Sequence, residues 1–289
     1  QTDDLFEVYR ALNLKSIDDF HGEPEEKYNN TTFIGYFTDI TRSKEQIYDF
    51  DIWDFKMYDD FVTISGDIKF CAGMLHYLYP FLSENPNYIG SSIIDRRYFM
   101  HVSFGYQSIY HFWDRIGDLL WIFFPTGIPE KEVYTAGVLN SIPAEYKTSV
   151  AYKELKVLFD SFHHMKKKRH EIVHKCSFGV EISWQRMSSH GKKRKLNRLT
   201  QKIEGYKKQM ATSLNDCITA LHLTLNLIDE LPGKDASNAI QIAPINKTKN
   251  MNQLKKFTQD LTGGINQITH NLGTKDVIVQ IYNKSTGGF

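Results

Sequence analysis

The chain has 289 residues, 41% of them hydrophobic and 13% aromatic, which supports a sizeable core and excludes wholesale disorder. Its three cysteines, Cys71, Cys176 and Cys217, lack close Cys-x-x-Cys spacing, which excludes a disulfide framework and favours a reducing, cytoplasmic setting. The formal net charge is only +1, yet residues 1–150 hold 12 Lys+Arg against 23 Asp+Glu (−11) and residues 151–289 hold 23 against 11 (+12).

The basic excess is densest over 153–208, with 16 basic and 5 acidic residues. A polyanion partner is the functional reading of that excess; a solvated helix face, or an acidic half docked on a basic one, is the plain alternative. No secretory leader is read at the start of the chain. The longest apolar run, residues 119–125, is far too short to span a bilayer, and a soluble protein is expected.

In chain order, helices are predicted over about 3–14, 43–60 and 64–82, with a polar loop over 22–32. The clearest helix runs from Arg96 to Phe124. Phe99, Val102, Tyr106, Ile109, Trp113, Ile116, Leu120 and Phe123 recur there at alternating three and four. Phe104, Phe112, Leu119 and Ile122 add a second apolar face, which predicts a central position in a bundle. Pro125 and Gly127 end it.

A third long segment, about 149–175, carries Leu155, Leu158, Phe162 and Met165 on one face, and that register brings Arg169 and Ile172 near it. Residues 178–184 alternate and predict a short strand or extended connector. A further long helix is predicted over 193–231 on the stripe Leu196, Leu199, Ile203, Tyr206, Met210, Leu214, Ile218, Leu221, Leu225 and Ile228, with Pro232 and Gly233 as its stop. Beyond it only residues 276–282 look like a strand. The expected organisation is an acidic helical N-terminal region over 1–90, a helical bundle over 91–231, and a C-terminal arm or small subdomain over 232–289.

The chemistry concentrates in Arg169-His170-Glu171-Ile172-Val173-His174, preceded by Lys166, Lys167 and Lys168 and followed by Lys175. Read as His170-Glu171-x-x-His174, the segment has the ligand spacing of a zinc hydrolase. A zinc helix needs neutral imidazoles and a third protein ligand. Here five cations flank the pair, no His-x-x-Gly-x-x-His continuation follows, and the distant Glu204 sits among lysines. Read as Arg169-x-x-x-x-His174, the same residues suit RNA cleavage, with cations to stabilise a phosphorane and an imidazole to move a proton.

This second pattern, on a basic helix following long core helices, resembles the signature of the HEPN superfamily, many of whose members are RNases. The resemblance covers about residues 94–231. It implies an all-α, HEPN-like helical bundle with long core helices, flanked by the helical N-terminal region and the arm. It also implies a homodimer whose motif helices face each other across a composite cleft. Cutting there needs no metal or other cofactor and leaves a cyclic phosphate.

Arg169 is then the phosphate clamp and His174 the base or acid. His170 takes the family's polar position after the Arg, and Glu171 is a supporting residue that either orients the site or is a solvated helix charge. Lys166, Lys167, Lys168, Lys175, Lys192, Lys193, Arg194, Lys195 and Arg198 are candidate RNA contacts. On an ideal helix residues five apart diverge by about 140°, so one copy does not easily aim Arg169 and His174 at one phosphate, whereas two copies meeting at a two-fold axis, as the resemblance implies, could.

A non-catalytic HEPN-like RNA-binding or scaffold protein remains the alternative. A toxin or antiviral defence role, with an antitoxin or regulatory partner, is the biological setting the resemblance implies. One departure stands out: Cys176 occupies the place, two residues after His174, where a modifiable Tyr stands in HEPN toxins paired with nucleotidyltransferase antitoxins. Arg96 and His101 repeat the Arg-to-His spacing, but at the start of a packing helix, and His163 and His164 are expected at the surface or its boundary.

Overall fold

The structure is a computed structural model that describes residues 2–20, 25, 28, 30–48, 56–82, 92–174, 178–189 and 192–233, with the backbone alone for 163–174. By contact the chain divides into Gln1–Ile240 and Gln241–Phe289. The second unit, including the strand expected over 276–282, lies outside the described residues.

Among the described residues the fold is all-α. Eight helices follow in order: α1 (Thr2–Ala11), α2 (Phe33–Ser43), α3 (Lys56–Leu78), α4 (Ile93–Phe123), α5 (Thr135–Ser141), α6 (Val150–His174), α7 (Phe178–Ser188) and α8 (Lys193–Asp229). Extended pairing there is limited to two isolated bridges, Glu25 with Thr31 and Lys44 with Gly233.

The α4 stripe is buried at all eight predicted positions, and Phe112, Leu119 and Ile122 of the second face are buried too, whereas Phe104 is exposed. The helix starts three residues before the predicted Arg96. Ser92 accepts from the Asp95 amide (3.0 Å) and the Asp95 carboxylate accepts from the Ser92 amide (3.2 Å), a reciprocal cap that satisfies two end donors. Gly127, at φ +68°, turns the chain away at the other end in a conformation that side chains with a Cβ rarely adopt.

Four long helices, α3, α4, α6 and α8, form an up-down bundle. Phe61 meets Phe112 (5.0 Å between centroids) and Tyr79 meets Tyr98 (6.4 Å), which sets α3 antiparallel to α4. Tyr98 donates to the Ile203 carbonyl (2.8 Å) and Tyr106 to Gln209 (2.6 Å), so α4 and α8 run parallel as the central pair. They approach closely at Gly105, where a Cβ would stand 2.5 Å from the Met210 methyl. The α8 stripe from Leu199 to Ile228 is buried throughout, and Leu196 is half-buried.

Two expectations are corrected. Residues 43–60 are not one helix: α2 ends at Ser43, and α3 begins only at Lys56. Lys44 leaves the helix in extended conformation because its buried ammonium reaches the end of α8. There it donates to the carbonyls of Asp229 (2.6 Å) and Leu231 (2.7 Å) and pairs with the Asp229 carboxylate (3.1 Å). Residues 178–184 belong to a helix, α7, rather than a strand. Phe178 and Ile182, four apart, are buried while Val180 and Trp184 are exposed, so the alternation reflects no sheet face.

The N-terminal elements share this core. Tyr28 stacks on His222 of α8 with its hydroxyl 2.9 Å from Nε2, and Tyr36 donates to Asn226 (2.8 Å). Cys71 and Cys217 are free and buried, and burial pushes the Cys71 thiol up to about 12, so both are packing residues in the reduced state.

Candidate functional site

Helix α6 begins where the Ser149 hydroxyl accepts the Tyr152 amide (3.1 Å). Its first half is anchored by aromatic packing. Phe162 stacks on Trp113 (5.4 Å, 21°), Phe159 meets the same indole edge-on (5.4 Å), and Phe162 also touches Tyr110 (6.2 Å). Leu155 and Phe159 are buried and Leu158 half-buried, so the core-facing row is turned slightly from the predicted one.

The second half of α6 carries the motif. Arg169, His170, Glu171 and His174 all fall in its last two turns, continuous with the anchored half; their side chains lie outside the described residues, as do those of Lys166, Lys167 and Lys168. Lysine and arginine are good helix formers, and cations near a helix C-terminus complement its dipole, so the composition of this stretch favours its helical backbone. Arg169 stands seven residues after Phe162, within about 20° of it on an ideal helix, and His174 stands about 140° further round.

Three residues after α6, including Lys175 and Cys176, also lie outside the described ones. The chain then re-enters the core at Phe178, whose ring lies 5.4 Å from Tyr106 and 5.2 Å from Tyr206. Helix α7 is held by two ion pairs. Arg186 reaches the buried Asp95 carboxylate at the head of α4 (3.0 Å), and Lys202 of α8 reaches Glu181 (2.9 Å).

The basic cluster predicted at the head of α8 is exposed throughout: Lys192, Lys193, Arg194, Lys195 and Arg198. The first turn of α8 has no acidic residue. Cations there oppose the helix dipole, so their placement does not serve helix stability. Glu204, weighed as a distant zinc ligand, faces Lys208 (3.4 Å). Among the described residues no cluster of three or more His, Cys, Asp and Glu is placed to hold a metal, which leaves His170, Glu171 and His174 themselves untouched.

The second Arg-to-His match separates on the structure. His101 is buried edge-on to Phe70 (5.5 Å), with burial and then Arg97 lowering its pKa, while Arg96 is exposed. It is a packing histidine. Sequence reasoning passed over Trp184, whose exposure follows only once α7 is known to be a helix.

Residues 87–229 match the family model described as HEPN_Cthe2314-like HEPN. No curated protein and no solved structure matches the chain significantly. No described helix is long and apolar enough to cross a membrane.

Proposed function

Because residues 87–229 belong to the HEPN superfamily, whose domains cut or bind RNA, we propose that the protein is a metal-independent endoribonuclease working as a homodimer. What supports this reading is that Arg169 and His174 fall in the last two turns of α6, a helix whose first half packs on Trp113. Such a helix presents chemistry from a rigid support. Since the two residues diverge on one helix, Arg169 of one copy and His174 of the other serve a single phosphate across a two-fold axis.

In this mechanism His174 takes the proton of a ribose 2′-hydroxyl. The oxygen attacks the adjacent phosphorus, Arg169 holds the negative charge of the phosphorane, and the P–O5′ bond breaks. The leaving 5′-oxygen is protonated, giving a 2′,3′-cyclic phosphate and a 5′-hydroxyl end. His170 and Glu171 hold the pair in position, and Lys166 to Lys168, Lys175 and the head of α8 bind flanking phosphates. A toxin or defence setting, with a regulatory partner, fits an enzyme of this kind.

The test is cleavage of structured RNA in the presence of EDTA. Cutting persists in chelator, and Arg169→Ala and His174→Ala each lower the rate by at least about 100-fold with the melting temperature unchanged. Binding without cutting points instead to a scaffold, which the exposed cations of α8 would serve equally well. Loss of activity in EDTA together with stoichiometric zinc revives the hydrolase. A strict monomer at concentrations where cutting occurs overturns the composite site.

A further inference from the structure

The outer face of α7 carries Val180, Trp184 and Met187, three and four apart, with the Trp184 indole 63% exposed. Trp184 thus offers a large apolar surface on a helix that packs through its other side. Its surroundings are cationic. Helices α7 and α8 run antiparallel, since Phe178 lies on Tyr206 and Glu181 and Gln185 both meet Lys202. Continuing along α8 from Lys202 toward its start, Arg198 and Lys195 recur at four and three, on the row beside α7.

On an ideal helix Trp184 stands about 60° from Glu181 and about 100° from Gln185, on the solvent side of the face that meets Lys202. Lys202 is neutralised by Glu181, but Arg198 and Lys195 are exposed and pair with no acid among the described residues. A flat indole beside unneutralised cations matches an unpaired base and its phosphates, because every base offers a π-face. A protein partner fits less well: three partly exposed side chains fall far short of the ~800 Å² per partner typical of stable interfaces, and the flanking charge is of one sign.

We propose that Trp184, with Lys195 and Arg198, is a binding site for single-stranded nucleic acid that stacks an unpaired base. The proposal deepens the RNA reading above and rests on it. It assigns the preferred substrate as single-stranded, or as a loop in folded RNA.

A short 2′-O-methyl oligoadenylate lacks the attacking hydroxyl and is not cut, so its binding to the full chain is read directly. It binds more tightly than a duplex of equal length and quenches tryptophan fluorescence. Trp184→Ala weakens binding roughly 5- to 100-fold, and Trp184→Phe keeps most of the affinity while losing much of the quench. Lys195→Gln with Arg198→Gln weakens binding as well, a second readout should the alanine variant fold poorly. Unchanged affinity in Trp184→Ala, or a preference for duplex, overturns the site. So does a change of oligomeric state on Trp184→Ala with affinity kept, which would make the stripe a protein contact. RNA cutting that needs Arg169 and His174 but ignores Trp184 sinks this proposal alone, whereas no RNA binding by the wild type sinks both.

Discussion

At the scale of single residues, Asp95 is the most constrained charge in the described structure. Its side chain is 0% exposed, it closes the cap of α4 with Ser92, and it faces Arg186, itself only 14% exposed. Removing one partner of a buried pair leaves the other charge desolvated. Arg186→Ala is therefore expected to cost about 3 kcal/mol, read as a lower urea midpoint at unchanged slope. Because the same contact fixes α7, RNA affinity falls with it, while Arg186→Lys recovers part of both. The cap was open to reading in Ser92-x-x-Asp95, but the ion pair was not, since 91 residues separate its partners.

Among the elements, α4 and α8 were legible because their apolar residues recur regularly over many turns, whereas α3 (Lys56–Leu78) was split between the helices predicted over 43–60 and 64–82. The α4 and α8 stripes run at three and four for many turns, and burial follows them with Phe104 and Leu196 as the departures. Of the short helices α1 was legible, but α2, α5 and α7 were not. In α7 the apolar residues Phe178, Val180, Ile182 and Trp184 mimic a strand because two face the core and two face water. Only contacts with Tyr106 and Tyr206 decide between the readings, and these are tertiary. The motif itself was visible as a spacing, but its aromatic footing on Trp113 was not.

The break after α2 has a similar origin. Lys44 abandons the helix to cap α8, satisfying carbonyls that would otherwise lack donors. Lys44→Met removes both bonds and is expected to cost roughly 2–4 kcal/mol, with hydrogen exchange fastest in the last turn of α8. An unchanged exchange pattern there would show that the anchor is dispensable.

For the whole molecule, the charge division between the halves of the chain is a statement about long-range fields. Binding to single-stranded RNA releases counterions, so affinity should fall linearly on a log–log plot as salt rises. Each cation that truly meets a phosphate contributes about 0.7 to that slope. Arg198→Gln should flatten it by this amount, whereas replacing Arg10, which pairs with Glu7 on α1, should leave it unchanged. Equal slopes for both variants would remove the head of α8 from the binding surface.

The anchoring of Tyr28, Tyr36 and Lys44 on α8 bears on how this protein is divided. Its family resemblance begins near residue 87, yet the acidic segment ahead of that point supplies one wall of the hydrophobic interior. Cut at the boundary of the match, the remaining fragment would present the α3-facing sides of α4 and α8 to solvent and aggregate. The matched segment and the unit of folding are thus different lengths of the same polypeptide, and a minimal version that folds must keep the leading helices.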